Sequence, residues 1–442
     1  MDRPPLRTEF EGESVLLVGV QNGKAGEWDV SDSLDELHQL SLTSGARVLG
    51  RFICRQTKPY PSHYVGKGKV REIAEWAAEH RPSSLVFDED LSPAQGRNLE
   101  EEIGVKVIDR TQMILDIFAQ HAHTKEGRLQ IELAQLEYLL PRLRRMWTHL
   151  ERQKGGIGLR GPGEKQLETD RRRIEERISR LKKELDQVRR HRHELRRGRR
   201  RHGWALASLV GYTNAGKSTL LNALTGSNVE AYNQLFSTLD PTTRQVELPN
   251  QQSVLLTDTV GFIRKLPHHL VESFKATLEE VVEADLLIHI IDASHPRVES
   301  QIEAVREVLK EIGVVEGPVL HVLNKIDAEE GRRQWPRLAE ELGRAVPVSA
   351  RTGEGVEAFL HELADRLRDR NVRLDLCIPM SKGDLIAALH RVGDVREESY
   401  EAAHAFLTAY VPAHMASRFE PYRDGGQDRE STSGSTEEPD KA

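Results

Sequence analysis

GYTNAGKS, residues 211–218, stands between the apolar run ASLV at 207–210 and the helix-like TLLNALTG at 219–226. A GxxxxGK[ST] motif between a strand and a helix is typical of a phosphate-binding loop. The backbone N–H groups of such a loop close around the phosphates. The Lys217 ammonium places a positive charge beside the β- and γ-phosphate oxygens, and Ser218 ligates Mg²⁺. The stretch therefore predicts a doubly wound P-loop α/β fold. Its candidates are Gly211, Tyr212, Thr213, Asn214, Ala215, Gly216, Lys217 and Ser218.

A second motif, DTVG, follows the apolar run SVLLT and gives the candidates Asp258, Thr259, Val260 and Gly261. In P-loop proteins an aspartate at the end of a buried strand lies on the Mg²⁺ side, and the glycine N–H can reach the γ-phosphate. Alone, this short motif is weak evidence for a nucleotide site. Downstream of a phosphate loop it becomes a strong indication of a nucleotide-hydrolysing site.

The NKID motif, which follows the apolar run VLHVL, indicates which nucleotide base the site binds. A carboxylate at Asp327 can accept from guanine N1–H and N2–H₂ together, whereas adenine lacks the 2-amino group. A site built for such donors rejects the analogue without them by about 10⁴. The candidates here are Asn324, Lys325, Ile326 and Asp327, with Ser349, Ala350 and Arg351 from the loop after the next strand.

Between these motifs lies a switch segment, FSTLDPTTR, at residues 236–244. A threonine in it should ligate Mg²⁺ and sense the γ-phosphate. Thr238 is the first choice, and Thr242 and Thr243 remain alternatives. The catalytic candidates are Lys217, Thr238 and Gly261, and the metal candidates are Ser218 and Thr238. The predicted substrate is GTP.

Phe262 occupies the position after DTVG, where small signalling GTPases carry a water-orienting glutamine. A phenyl ring cannot polarise water, so we expect slow intrinsic hydrolysis that awaits a group from elsewhere. Asn214 suggests that K⁺ supplies part of the missing charge. The alternative is that the Asn214 side chain only stabilises the loop.

The chain has 442 residues, a length at which about three domains are expected. No run approaches the roughly 18 apolar residues of a membrane span, and the N-terminus lacks a signal-peptide pattern, so we expect a cytoplasmic protein. Cys54 and Cys377 are isolated, which argues against a disulfide or zinc site.

The first 125 residues alternate strand-like and helix-like runs and predict an α/β domain with a parallel sheet. The stretch GKGK at 66–69 lacks the spacing of a phosphate loop and is interpreted as a turn, with nucleotide or RNA contact as the alternative. We also predict a GTPase domain at 203–369, a small α/β domain at 370–421 and a disordered tail at 422–442.

Residues 126–202 predict an antiparallel helical hairpin. Two heptad seams, at 129–150 and 174–188, flank the glycine-rich GGIGLRGPGE at 155–164. A first arm over 129–153 would project roughly 37 Å. Residues 141–202 carry 22 Lys/Arg against 9 Asp/Glu, which favours an RNA partner, although a basic run can also be the solvated face of a coiled coil.

The motifs resemble the HflX family of translation-factor-related GTPases. The resemblance rests on GYTNAGKS, FSTLDPTTR, DTVGF, NKID, the run GGIGLRGPGEKQLETDRRRI and the stretch SHYVGKGKV, and it covers nearly the whole chain except the tail. Mapped by motif, it implies that further residues surround GTP, namely Phe236, Ser237, Thr238, Leu239 and Asp240 of the switch segment and Ser349, Ala350 and Arg351. It also implies binding to the ribosome, chiefly the large subunit and its RNA, with splitting or rescue of stalled ribosomes under stress. A ribosome-assembly GTPase and a nucleotide-gated RNA-binding adaptor remain alternatives. We expect no DNA partner and a monomer.

Overall fold

The computed structural model describes residues 13–22, 30–146, 162–201, 204–226, 235–236, 238–250, 252–265, 278–314, 317–368, 371–401 and 403–423. Ser237, most of the predicted hairpin tip and residues 424–442 of the predicted tail lie outside this part. The chain divides into two compact units. The first comprises Met1–Arg196, Leu206–Arg244 and Leu256–Phe359, and the second comprises Arg197–Ala205, Gln245–Leu255 and Leu360–Ala442.

The N-terminal sheet of the first unit is parallel throughout, with strand order β2-β1-β3-β4. Leu16 and Val18 pack on one face of β1 and Val15 and Leu17 on the other, so the strand is apolar on both faces, as parallel sheets require. The strands are β1 (Ser14–Asn22), β2 (Arg47–Gln56), β3 (Ser84–Phe87) and β4 (Lys106–Asp109). The predicted parallel α/β arrangement is confirmed.

Four helices cover this sheet: α1 (Val30–Thr43), α2 (Lys67–His80), α3 (Pro93–Ile103) and α4 (Arg110–His121). The sequence pattern predicts helices at 34–43 and 69–79, which correspond to α1 and α2, and it predicts neither α3 nor α4. A start signal for α3 was present, since Ser92 and Gln95 form a capping box and Pro93 occupies the first helical turn.

The predicted hairpin is formed by α5 (Lys125–Met146) and α6 (Pro162–Arg201). Leu129 and Leu133 of α5 pack with Leu181 and Leu185 of α6. The Glu132 carboxylate also accepts from two guanidinium nitrogens of Arg177, at 2.7 and 2.8 Å. The predicted tip extended to residue 164, whereas α6 begins at Pro162, because proline is tolerated in the first turn of a helix.

Another sheet has six strands in the order β10-β9-β8-β5-β7-β6. Its strands are β5 (Ala205–Gly211), β6 (Thr242–Glu247), β7 (Ser253–Asp258), β8 (Leu286–Asp292), β9 (Val319–Asn324) and β10 (Val346–Pro347). The associated helices are α7 (Lys217–Thr225), α8 (Val298–Glu311), α9 (Glu329–Leu342) and α10 (Val356–Arg368). The carboxyl ends of β5, β7 and β9 carry the three nucleotide motifs, so the sheet brings together motifs far apart in sequence.

The second unit contains an antiparallel sheet of β11 (Asn371–Pro379), β13 (His404–Pro412) and β12 (Asp394–Glu401), in that order. Helices α11 (Gly383–Val392) and α12 (Ala413–Phe419) contribute Leu389 and Phe419 to its core, next to Leu376 and Leu407 of the sheet. Among the described residues, no helix is both long enough and apolar enough to cross a membrane.

Candidate nucleotide-binding site

The phosphate loop connects the end of β5 to the start of α7, and two of its glycines are required by space. A Cβ on Gly211 would lie 2.2 Å from the carbonyl oxygen of Ile290, and one on Gly216 would lie 2.2 Å from Nδ2 of Asn324. Gly216 also has a φ of 97°, in the left-handed region. The loop therefore folds tightly against β8 and β9, with its backbone at the N-terminus of α7.

Lys217 is held on the inside of this loop. Its Nζ donates to the carbonyl oxygens of Tyr212 at 2.9 Å and Gly211 at 3.2 Å. Burial lowers the pKa of Lys217 to about 8, and the nearby Asp258 carboxylate partly opposes this effect. An anionic phosphate next to Nζ would favour the charged form, so the position suits phosphate binding.

Three oxygen-bearing side chains converge beside Lys217. Asp258 Oδ2 accepts from Ser218 Oγ at 2.6 Å and from Thr238 Oγ1 at 2.9 Å, and the two hydroxyl oxygens are 2.8 Å apart. Within the described part of the chain, the other carboxylate oxygen of Asp258 is buried without a hydrogen-bond partner, and burial raises the pKa of this group. A compact set of hard oxygen donors around a buried carboxylate is what Mg²⁺ prefers, so these residues fit that ion.

The two alternatives to Thr238 are not part of this cluster. Thr242 and Thr243 lie in β6, and the Thr243 hydroxyl pairs with that of Thr257 at 2.9 Å. The sequence reading missed β6 because TTRQVE is largely polar and exposed. Of the three threonines, the geometry therefore favours Thr238.

Asn324 connects the phosphate end of the site to the base end. Its Nδ2 donates to the carbonyl of Ala215 at 2.8 Å, and its Oδ1 accepts from the backbone N–H of Ala350 at 3.0 Å. Asn324 is buried and ends β9, so one side chain fixes the spacing between two loops. Asn324 therefore supports the phosphate loop at Ala215 and the base-end loop at Ala350.

Asp327 lies at the predicted base end with two partners. Oδ1 accepts from Ser349 Oγ at 2.8 Å, and Oδ2 pairs with the Arg351 guanidinium at 2.5 Å. Lys325 has a φ of 65° and pairs with Asp292 at 2.7 Å, while the Ile326 side chain is buried. Asp292, at the end of β8, is a residue that the motif reading missed.

The DTVG segment is joined to the phosphate loop by its backbone. Thr259 Oγ1 donates to the carbonyl of Leu209 at 2.6 Å, and Val260 is buried. A Cβ on Gly261 would lie 2.9 Å from Cα of Thr213, so only glycine allows this approach. The next residue, Phe262, exchanges backbone hydrogen bonds with the loop.

Among the described residues of the switch segment, only Thr238 joins the oxygen cluster. The Phe236 ring packs edge-on against Phe118 of α4 at 4.6 Å, and Leu239 is buried in the core. Asp240 accepts from the backbone N–H groups of His123 and Thr124. The side chains of Phe236 and Asp240 therefore contact residues 118–124 of the N-terminal region.

Tyr212 of the phosphate loop belongs to a buried polar network that the sequence reading missed. Its hydroxyl donates to Glu36 of α1, and burial together with Glu36 raises the pKa of Tyr212 well above its usual value. Arg110 pairs with Glu36 at 2.6 Å and with Asp88 at 2.7 Å. Lys265, just beyond the DTVGF motif, also pairs with Asp88 at 2.7 Å. The partners are far apart in sequence, so no local pattern reveals the network.

A cavity of about 440 Å³ lies beside the phosphate loop. Thr213 and Asn214 line it from the loop, and Asp32, Asp35 and Glu36 line it from α1. Asn214 has a φ of 60°, a backbone conformation that asparagine tolerates better than most residues. The cavity gives an external group or ion room beside Asn214.

Three family models match successive parts of the chain. Residues 31–119 match "GTP-binding GTPase N-terminal", residues 121–199 match "GTP-binding GTPase Middle Region", and residues 207–325 match "50S ribosome-binding GTPase". The first two matches cover strands β2, β3 and β4 of the N-terminal sheet and nearly all of the hairpin. The third runs from β5 to the NKID motif.

Individual relatives match this chain over most of its length. The chain is 45% identical over 403 residues to GTPase HflX of Lacrimispora saccharolytica, covering 91% of this chain and 94% of the relative. It is 46% identical over 391 residues to GTPase HflX of Escherichia coli, covering 88% and 91%. A solved GDP complex of SsGBP is 27% identical, covers 80% of this chain and 99% of that chain, and has a TM-score of 0.47.

Proposed function

Since this chain belongs to the HflX family of GTPases, we propose that it couples GTP hydrolysis to binding of the large ribosomal subunit and its RNA, and splits or rescues stalled ribosomes under stress. Family membership makes it a GTP-hydrolysing enzyme with a ribosome-binding type of GTPase domain. The large subunit as the binding partner and the outcome for the ribosome are the proposed steps.

The observation that carries the proposal is the combination of a GTP-type site with a basic hairpin in one chain. The hairpin stretch at 141–202 has 13 more Lys/Arg than Asp/Glu, although the whole chain has a net charge of −7. Such an excess favours contacts with RNA phosphates. The model matched by residues 207–325 is described as a 50S ribosome-binding GTPase, which supports the same partner.

In the proposed reaction, Lys217 and the loop N–H groups hold the β- and γ-phosphates, and Asp327 accepts hydrogen bonds from guanine. Thr238 senses the γ-phosphate from the switch segment. Ser218 and Thr238 would hold Mg²⁺ next to Asp258, and the ion when bound would neutralise charge on the phosphates. The proposal also includes a K⁺ ion that binds beside Asn214 and supplies part of the missing positive charge.

Water activation is the step for which this site offers no polar side chain at the usual position. Phe262 is 2% exposed, and its ring belongs to the core. Its backbone N–H donates to Gly211 at 3.1 Å, and its carbonyl accepts from Thr213 at 2.7 Å. We therefore expect slow hydrolysis by the protein alone and acceleration by a ribosomal group.

The test is the steady-state GTP hydrolysis rate of the purified protein, alone and with purified large subunits, at fixed Mg²⁺ and K⁺. Stimulation by about tenfold or more, which corresponds to about 1.4 kcal/mol off the barrier, supports a ribosome-gated enzyme. Lys217→Ala is the site control, because it removes the phosphate-binding charge. An unstimulated rate contradicts the ribosome proposal and favours the adaptor alternative.

A second measurement separates ribosome splitting from ribosome assembly. Intact ribosomes incubated with the protein and GTP should separate into subunits on a sucrose gradient if the splitting proposal holds. Deletion of Gly155–Gly163 should leave the intrinsic rate unchanged and abolish splitting, although this segment mostly lies outside the described residues. Deletion of residues 424–442 is the control. Splitting that survives the hairpin deletion would contradict the role of the tip.

A further inference from the structure

Asp240, two residues after Thr238 in the chain, contacts the residues that precede α5, the first helix of the hairpin. Its Oδ2 accepts from the backbone N–H groups of Thr124 at 2.8 Å and His123 at 3.0 Å, and its Oδ1 accepts from the Thr124 hydroxyl. Helix α5 begins at Lys125. Amides at a helix N-terminus have no partners within the helix and carry partial positive charge, so a carboxylate there is favourable.

The start of α5 is built around this carboxylate. Thr124 Oγ1 accepts from the Gly127 backbone N–H at 3.0 Å, so the hydroxyl that donates to Asp240 also caps the helix. A Cβ on Gly127 would lie 2.5 Å from Asp240 Oδ1. Glycine within a helix costs about 1 kcal/mol relative to alanine. Because Gly127 does not have a positive φ, space for Asp240 is the structural reason for this glycine.

The switch segment is held on both sides of Thr238. Upstream, Phe236 packs against Phe118, and downstream Asp240 binds Thr124. Leu239, between Thr238 and Asp240, is buried. Two residues span at most about 7 Å, so Thr238 cannot move far without changing the position of Asp240.

We propose that Asp240 is a positioning residue, which holds Thr238 at the Ser218–Asp258 pair by binding the N-terminus of α5. The nucleotide-sensing threonine and the hairpin are then energetically coupled. Binding of the γ-phosphate at Thr238 strengthens the contact between Asp240 and α5, and the contact in turn favours GTP over GDP by the same factor. The proposal rests on the proposed nucleotide site but is independent of the ribosome.

Two variants break the contact from opposite sides. Asp240→Ala removes the carboxylate, while Gly127→Ala keeps it and places a methyl group against Oδ1. The matched control is Gly96→Ala on α3, where a Cβ would meet nothing within 4 Å. Thr124→Ser retains the hydroxyl and should behave as wild type.

The readout is hydrogen exchange at the start of α5, residues 125–131, in the full-length protein with Mg·GDP or Mg·GMPPNP. In the wild type, GMPPNP should slow exchange there by about fivefold or more relative to GDP, the lower end of typical coupling between sites. Asp240→Ala and Gly127→Ala should lose that difference, weaken GMPPNP binding by a similar factor and leave GDP affinity unchanged. Gly96→Ala and Thr124→Ser should retain it. A purely structural contact would change exchange equally with both nucleotides.

Three results would overturn the proposal. The first is equal exchange with both nucleotides in the wild type, and the second is a wild-type difference that persists in both variants. The third is that neither nucleotide binds, in which case the nucleotide site itself fails. Because GDP and GMPPNP affinities are measured in the same samples without ribosomes, failure of the site is distinguished from failure of the coupling.

Discussion

Tyr212 in the phosphate loop donates its hydroxyl hydrogen to Glu36 of the N-terminal helix α1, and the same oxygen accepts from the backbone N–H of Arg264 at 3.0 Å. The ring is buried. Tyr212→Phe would remove one partner each from the partly buried Glu36 carboxylate and the Arg264 amide, so we expect it to reduce the unfolding free energy by about 1–3 kcal/mol. Thermal or denaturant unfolding measures this loss.

Tyr400→Phe is the control for this prediction. Its hydroxyl also contacts a carboxylate, Glu398, but the residue is 54% exposed. A surface hydroxyl of this kind should contribute less than about 0.5 kcal/mol. Equal destabilisation by the two substitutions would show that the contact between Tyr212 and Glu36 contributes nothing special.

Asp327→Asn tests guanine recognition. An amide can still accept from N1–H of a purine but presents a donor to position 2, which matches the oxygen of xanthine and opposes the amino group of guanine. We expect GTP affinity to fall by about 100-fold, or about 3 kcal/mol, and XTP to become the preferred nucleotide. Competition against a fluorescent nucleotide measures both affinities. Unchanged GTP preference would remove Asp327 from the base site.

Phe262→Gln tests whether the missing glutamine alone limits the rate. The Phe262 ring is buried and its backbone is paired with the phosphate loop, so a glutamine would have to leave the core to reach water. We expect no faster hydrolysis and a loss of stability of about 3 kcal/mol, comparable with other large changes to buried phenylalanine. Phe262→Leu, which stays apolar, is the control. A faster single-turnover rate in Phe262→Gln would contradict this account.

The sequence predicted those parts of the site whose chemistry is local. The phosphate loop, DTVG and NKID each follow a buried strand, and the parallel sheet brings the three strand ends together. The same alternation of apolar runs predicted the N-terminal parallel sheet. The heptad spacing predicted two apolar seams, and residues of both seams, such as Leu133 and Leu181, belong to one buried cluster.

What the sequence could not predict are the partners of polar side chains across long separations. Asp240 is a reasonable nucleotide ligand by its position in FSTLDPTTR, yet it binds Thr124, 116 residues earlier. Glu36 and Tyr212 are 176 residues apart. A single sequence gives periodicity and local chemistry, whereas such pairs depend on how separate elements pack.

Asn214 provides the test for K⁺. If its side chain helps to hold the ion, hydrolysis should be several-fold faster in K⁺ than in Na⁺ at equal ionic strength, and Asn214→Gly should remove the difference. Glycine adopts the φ of 60° at least as readily, so it preserves the loop conformation and deletes only the amide. A K⁺ effect that persists in Asn214→Gly, or equal rates in both salts, would leave the amide with a loop-stabilising role.

His289 makes stability depend on pH. It lies on β8, is 3% exposed and faces the ring of His321 on β9, with centroids 5.4 Å apart. Burial lowers the pKa of His289 to about 3, and His321, Arg306 and Lys217 act in the same direction. Unfolding returns the pKa to about 6.5, so below pH 6.5 the unfolded chain binds a proton that the folded chain excludes.

Stability should therefore be fully present above about pH 7 and decline as the pH falls toward 4, by up to about 1.4 kcal/mol per pH unit from this group. His289→Phe keeps an aromatic ring against His321 and removes the proton site. Its unfolding free energy, measured by denaturant titration between pH 7.5 and 5, should fall less steeply than that of the wild type. His361→Gln, at an exposed position of α10, is the control for removing a histidine from the surface. Parallel slopes in wild type and His289→Phe would mean that His289 is protonated in the folded protein, contrary to its burial.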